Sequence, residues 1–262
     1  MCRLLGVVSA VPVSVADAVG DRVLEDFLAL TEIHGDGWGV GAVTERGGAP
    51  RVEVSAGNAI DDPQFAAAMK EPAVATLVHL RWATNGLAVQ PQNSHPFVAD
   101  GLAMAHNGSI KPMGPLDALV GPDIELRGTT DSERYFAVIR QHRRTAPDLA
   151  EGVRRAVAEL RALYPDASLN ALILGEDQLI AVHAHATSRL LDEDIEEISA
   201  TDLPAEHLED YFGLRVAQLD DDTLAIGSTG FGDLPWRPLP PECVAAVSLR
   251  DLSMTLHPLV TD

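Results

Sequence analysis

Only two lysines, Lys70 and Lys111, stand in this chain of 262 residues. Nineteen basic side chains face 39 acidic ones, giving a formal charge of −20. Such a surface repels phosphate backbones and anionic lipid, so neither nucleic-acid binding nor a membrane-surface function is expected. Cysteine is as scarce: Cys2 and Cys243 cannot build a disulfide framework, which points to a reducing cytoplasm. No apolar run approaches the roughly 20 residues of a membrane span. The N-terminus lacks the basic, apolar, small-residue order of a signal peptide. Repeats, low-complexity tracts and long Ser/Gly linkers are missing too. The length fits one large or two small domains and can bury a sizeable core; with no linker to divide it, a single domain over residues 1–262 is expected.

What is present reads as strands, then helices, then strands. Residues 4–9 (LLGVVS) form a short apolar run of strand character. Ser14 and Asp17 open a pattern of Val15, Val19, Val23, Phe27 and Leu28 that suits a helix. Residues 35–43 read as a turn entering a strand, and 73–80 and 101–106 as further strands that end in polar clusters. A Gly/Pro-rich loop is expected from Ser109 to Gly128. Thr130 and Glu133 have capping-box spacing before Tyr135, Phe136 and Ile139. Leu149, Val153, Val157, Leu160 and Leu163 repeat at helical spacing up to Pro165. Strands are predicted again at 169–174, 178–185, 223–226 and 243–249, and the acidic stretch 192–222 reads as a solvated excursion. Without regular βα alternation, the order predicts α+β layers rather than a doubly wound sheet.

Several residues carry potential chemistry, and each has a plain structural alternative. Loss of Met1 would place thiol and free α-amine together on Cys2, and such an amine can act as base for its own side chain. Alternatively, Cys2 packs as a small hydrophobe. Arg81, in His79-Leu80-Arg81-Trp82-Ala83-Thr84-Asn85-Gly86, can clamp a carboxylate or form a surface ion pair. Asn107-Gly108 can supply a side-chain amide and a backbone N–H to an oxyanion, or simply turn the chain. Asp131 begins a predicted helix, where the dipole favours a carboxylate whatever its function.

Taken in order, Met1-Cys2-Arg3-Leu4-Leu5-Gly6, Gly35-Asp36-Gly37-Trp38-Gly39, Arg81-Trp82-Ala83-Thr84, Ser94-His95-Pro96-Phe97, His106-Asn107-Gly108 and Thr130-Asp131-Ser132-Glu133 form a series. That series resembles the class II glutamine amidotransferases of the N-terminal-nucleophile hydrolase superfamily, most densely over residues 2–139. The stand-alone size is similar to the bacterial branch that includes the ergothioneine-pathway γ-glutamyl hydrolase. The resemblance implies a four-layer α/β/β/α sandwich of two mainly antiparallel sheets. It implies Cys2 as nucleophile toward a γ-carboxamide, and Asn107 and Gly108 as the oxyanion hole. Arg81 would hold the substrate carboxylate, Asp131 its ammonium, and Trp82 and Thr84 would line the pocket. The substrate is then glutamine or another γ-glutamyl small molecule. An ammonia-using synthase is the partner class, and no cofactor or metal is expected.

Two departures stand out. Asn85 occupies a position where glucosamine-synthase-type members often carry His, and no Ser-Glu-Pro-Leu-like stretch precedes Trp236. His183 and His185 share one face of a predicted strand and could bind a metal with His79, His95 or His106, but no CxxC or HExxH spacing supports that and they read as structural. The glycines at 35–39 lack the order of a phosphate loop, and Cys243 reads as core. The competing classes are a non-catalytic module of the same fold and a histidine-based metal amidohydrolase.

Overall fold

Cys2 opens the central strand of the first sheet. In the computed structural model, which describes residues 2–83 and 90–259, β1 (Cys2–Val13) leads into α1 (Val15–Val19) and α2 (Asp21–Ala29). Next come β2 (Trp38–Val43), β3 (Arg51–Ser55), α3 (Pro63–Ala68) and β4 (Ala73–Arg81). They are followed by β5 (Phe97–Ala99), β6 (Leu102–Asn107) and α4 (Met113–Leu119), and then by the long helices α5 (Asp131–Thr145) and α6 (Leu149–Leu163). The second half supplies β7 (Asn170–Gly175), β8 (Gln178–His183), α7 (Asp192–Ser199), α8 (Glu206–Glu209) and β9 (Leu214–Asp220). The last strands are β10 (Thr223–Ser228), β11 (Arg237–Pro238), β12 (Cys243–Ser248) and β13 (Met254–Pro258).

Among the described residues these strands make two antiparallel sheets, ordered β11-β9-β10-β1-β4-β2-β3 and β13-β12-β8-β7-β6-β5. Both sheets take strands from both halves of the chain. Alternation along β1 explains the stacking, because successive side chains leave opposite faces. Leu4 and Val8 enter the layer between the sheets with Leu172, Leu174, Ala181 and Val247. Gly6 lies on that same face, where a Cβ would press on the Leu179 and Leu172 side chains. Leu5 and Val7 face the other way, onto Val15, Val19, Val23 and Phe27 of α1 and α2. On the far side, Ile173 and Val182 of the second sheet pack under Tyr135, Phe136, Ile139, Val153 and Val157 of α5 and α6. Helix, sheet, sheet, helix is the predicted four-layer order.

The helix starts are set locally. The Ser14, Thr130 and Asp148 side chains accept the N–H of Asp17, Glu133 and Glu151, caps that contribute about 1 kcal/mol each. Glu133 does not close the box on Thr130. Its carboxylate accepts from the Arg127 and Gly128 N–H groups and ties down the loop before α5.

Some segments differ from the sequence reading. The helix predicted after Ser14 breaks at Gly20, whose φ of 84° divides α1 from α2. The loop expected at 109–128 contains α4. The acidic stretch 192–222 is not merely solvated: it holds α7, α8 and β9, with Tyr211, Phe212, Leu214 and Val216 buried. The strands β3 and β13 escaped detection although Arg51–Ser55 and Met254–Pro258 alternate apolar and polar residues, because both lie at sheet edges and neither carries the buried apolar run that marks the central strands. Among the described residues no helix is long and apolar enough to cross a membrane.

Candidate active site

The site grows from the ends of three strands. In the first sheet Cys2 lies opposite Arg81, and two residues along, Leu4 lies opposite His79. Alternation therefore puts the Cys2, His79 and Arg81 side chains on the face that Leu4 buries against the second sheet. From that second sheet, Asn107 closes β6 on the same face as Ala105, which belongs to the inter-sheet core. The two meet directly: the Cys2 N–H donates to Asn107 Oδ1 at 2.9 Å, with both residues buried.

Asn107 and Gly108 are held from behind by Ser168. Its Oγ donates to the Asn107 carbonyl at 2.8 Å, while its own carbonyl accepts the His106 Nε2–H at 2.9 Å. That bond assigns the proton to Nε2 and leaves Nδ1 to accept from the Ser132 hydroxyl at 2.9 Å. Burial pushes His106 below the ordinary imidazole range, partly opposed by the Asp131 charge. Gly108 is obligatory for packing, since a Cβ there would overlap the Ser168 carbonyl oxygen. Among the described residues nothing accepts from Asn107 Nδ2. The amide nitrogen of Asn107 and the backbone of Gly108 thus sit together beside the residue that bears the thiol.

Arg81 is buried at the strand end. Its backbone N–H donates to the Gly37 carbonyl at 2.8 Å, and its carbonyl accepts the Asp36 N–H at 3.0 Å. Asp36 also accepts the Ala83 N–H at 2.8 Å through its carboxylate. The Gly35–Gly39 turn is therefore a brace for residues 81–83, not a phosphate loop. Gly39 serves a second purpose: a Cβ there would overlap the His95 carbonyl, so its absence lets residue 95 cross closely over β2. Trp82 is buried among Ile33, Ile198, Tyr211 and Phe212, with the His34 ring edge-on at 5.6 Å. Thr84, the remaining predicted pocket residue, lies outside the described residues.

Asp131 is more occupied than a bare ammonium clamp. One carboxylate oxygen accepts the Ile110 N–H at 2.5 Å and the other the Ser132 N–H at 2.9 Å. It thereby ties the start of α5 to the segment that follows Gly108. An ionised carboxylate offers about four acceptor positions, so room for a cation remains.

Three arrangements go beyond the sequence reading. Arg3 is fully buried on the back of β1, donating to the carbonyls of Cys2, Thr229 and Tyr211 at 2.7, 3.3 and 3.0 Å. Its signals in the sequence were its place in the opening motif and a charge directly before the apolar run at 4–9. His79 and His95 lie beside the thiol with ring centroids 4.4 Å apart. Burial first, then nearby Arg81, pushes His79 well below the ordinary range, with the His106 carbonyl opposing weakly. His95 is shifted the same way by burial and by His79. The pair singled out in the sequence, His183 and His185, sits apart from these. His183 Nδ1 lies 3.0 Å from the Leu239 carbonyl, and His185 falls beyond the end of β8 against Phe212. Thirdly, a cavity of about 340 Å³ adjoins the site, lined by Trp82, Ser109, Ser168, Arg189, Asp194 and Glu197 among others. The acidic segment thus contributes a wall.

Residues 1–194 match the family described as glutamine amidotransferases class-II. The glutamine–fructose-6-phosphate aminotransferase (isomerizing) of Pseudomonas syringae pv. tomato is 32% identical over 189 residues, 70% of this chain and 29% of that one. The corresponding protein of Acidithiobacillus ferridurans is 35% identical over 106 residues, covering 40% and 17%. The chain thus spans less than a third of these relatives' length. Among solved structures, the glutamine phosphoribosylpyrophosphate amidotransferase of B. subtilis, complexed with ADP and GMP, superposes with a TM-score of 0.68 at 15% identity. That match covers 100% of this chain and 50% of the other. A glutamine aminotransferase class-II domain protein from Silicibacter pomeroyi gives 0.63 at 18% identity, over 99% and 100%. At such identities the structural likeness is one of fold.

Proposed function

Since the chain belongs to the class II glutamine amidotransferases, we propose that Cys2, made N-terminal by loss of Met1, cleaves the γ-carboxamide of glutamine. One observation carries this reading: the bond from Cys2 N to Asn107 Oδ1 at 2.9 Å. Loss of Met1 turns that nitrogen into a primary amine, which can keep donating to Oδ1 while its lone pair accepts the thiol proton. Sulfur then attacks the amide carbon, forming the S–C bond and an oxyanion. The Asn107 Nδ2–H and the Gly108 N–H stabilise that charge. On collapse the C–N bond breaks, the protonated amine returns its proton, and ammonia leaves. Water hydrolyses the remaining thioester to glutamate and regenerates the thiol.

In this reading Arg81 binds the substrate carboxylate, Asp131 its ammonium group, and Trp82 and Thr84 border the pocket. The single domain extends over 1–262, supported by sheets that mix strands of both halves. The ammonia acceptor is a synthase partner. The cavity beside Trp82 and Ser168 supports a second reading, in which a larger γ-glutamyl compound is hydrolysed and its leaving group occupies that space.

The test is turnover of processed protein, verified by intact mass, with glutamine beside a panel of γ-glutamyl amides and amines. Glutamate and ammonia in equal amounts support the first reading. Inertness to glutamine with cleavage of a larger substrate supports the second. A processed, folded chain that turns over neither would be a binding module. A non-removable N-terminal extension should abolish either activity.

A further inference from the structure

We propose that Cys2, His79 and His95 form a zinc site that captures the nucleophile as a metal thiolate and switches the protein off. The Sγ atom and one ring nitrogen from each histidine all lie within 4.8 Å of one another. All three residues are buried, with 6%, 0% and 5% of their surface exposed. Neither ring nitrogen of His79 or of His95 makes a hydrogen bond of normal geometry, although the His106 backbone lies near enough to His79 to favour its proton. An unsatisfied buried polar atom costs on the order of 1–3 kcal/mol, so four in adjacent rings call for a ligand.

The fold assembles this cluster deliberately. The β1–β4 register puts His79 and Cys2 on one face of the sheet, and Gly39 admits His95 across β2. The donor set is one sulfur and two imidazoles, which selects zinc over the oxygen-seeking magnesium or calcium. Zinc bonds of about 2.0–2.3 Å set tetrahedral ligand separations near 3.5 Å, so donors within 4.8 Å of one another need to close by at most about 1.3 Å. Three protein ligands leave the fourth position open to water. Binding balances as one Zn²⁺ taken up and one thiol proton released to solvent, each neutral imidazole giving a lone pair. With its electron pair on the metal, the sulfur no longer attacks a carbonyl. Metal capture stands on the geometry alone, whereas the loss of activity rests on the function proposed above.

Two separate measurements test these two parts. Chelator-treated, processed full-length protein is titrated with Zn²⁺ by equilibrium dialysis, and with Co²⁺ by absorption. One equivalent should bind, with a near-ultraviolet thiolate-to-cobalt charge-transfer band. Cys2→Ala should abolish the band, while His183→Gln should change nothing. His95→Gln should weaken Zn²⁺ by more than the roughly 10–100-fold that loss of an outer-shell partner costs. Thermal melts confirm that the variants fold, and Zn²⁺ should raise the melting temperature of the parent but not of Cys2→Ala. No binding, binding indifferent to Cys2→Ala, or a cobalt spectrum without the thiolate band would overturn the site. Activity is then followed against Zn²⁺ and after chelation. Stoichiometric binding that leaves turnover intact would overturn the switch while sparing the site. Protein inactive even without metal would count against the function, and the binding data would stand.

Discussion

The backbone nitrogen of Cys2 and the side-chain oxygen of Asn107, 105 positions apart in sequence, are hydrogen-bonded at 2.9 Å across the two sheets. Neither partner is free to move. Cys2 is paired along β1 with β4, and Asn107 is pinned through its own carbonyl by Ser168. Fixing Oδ1 on the Cys2 nitrogen also fixes the rotation of the amide, so the direction of Nδ2 is set before a substrate arrives. Preorganisation of this kind makes an oxyanion donor effective, because nothing has to reorient as charge develops.

Asn107→Ala should therefore act on turnover rather than on binding. Loss of one full oxyanion donor lowers kcat by about 10²–10³, or 2.7–4 kcal/mol. Asn107→Asp keeps an acceptor for the Cys2 nitrogen but lacks the amide donor and adds a negative charge, so its loss should be at least as large. Steady-state kinetics on variants with unchanged melting behaviour decide the matter. An unaltered kcat in either would remove Asn107 from the chemistry.

The two cysteines should separate by reactivity. Cys243 donates its S–H to the Pro240 carbonyl at 2.9 Å, and burial pushes its thiol up to about 11. At pH 7 only about one Cys243 in ten thousand is then thiolate, the form that reacts. A γ-electrophilic glutamine analogue should modify Cys2 alone, as read by peptide mass mapping, and abolish turnover. Cys243→Ser should leave turnover nearly unchanged. The reverse pattern would refute the assignment of the nucleophile.

How much of this was legible in the sequence depends on range. Local signals were accurate: Ser14 and Thr130 cap helices, and the apolar runs at 4–9, 73–80 and 243–249 are buried strands. The order of motifs gave the family resemblance, which the match over residues 1–194 bears out. Long-range packing was not legible. Nothing near Ser168 indicates that it clamps the Asn107–Gly108 backbone, because that contact joins residues 61 positions apart. Tyr211 and Phe212 were hidden in an acidic segment whose charges mask the few apolar anchors. His79 and His95 each stand in a recognisable motif, but only the register of β1 on β4 and the missing Cβ of Gly39 bring them to one thiol.

Stability should fall between pH 7 and pH 5, before most carboxylates titrate. His207 is buried against His34 at 3.2 Å, and burial together with the Arg3 charge pushes it down to about 3. A histidine lowered in the folded state binds its proton more readily when unfolded. Its contribution is thus complete above the unfolded value near 6.5 and is lost as the pH falls toward the folded value. The slope is about 1.4 kcal/mol per pH unit for each such group, and His79 and His95 shift in the same direction. Urea denaturation at several pH values should show it, with a shallower slope in His207→Gln. A flat profile over that range would contradict the buried neutral state.

Arg3 should prove to be a positioning residue. Its guanidinium lies 3.8 Å from the centre of the Tyr211 ring, and it forms no salt bridge among the described residues. Instead it gives its N–H groups to three carbonyls, one of them that of Cys2 at 2.7 Å. A planar fork can reach all three at once, and a lysine ammonium cannot. Arg3→Met keeps the apolar stem but orphans those carbonyls, so a stability loss of at least about 2 kcal/mol is expected. The further consequence is kinetic. Without its carbonyl anchor the first residue of β1 shifts relative to Asn107, and displacement of a reacting group by about 1 Å can cost up to 10²-fold in rate. Measured at a temperature where the variant remains folded, kcat should fall tenfold or more while KM stays close to the parent value. Arg3→Lys should recover stability more fully than turnover. If Arg3→Met lowers the melting temperature yet leaves kcat unchanged, Arg3 merely fills the back of the sheet, and Cys2 is held by Asn107 and the β1–β4 pairing alone.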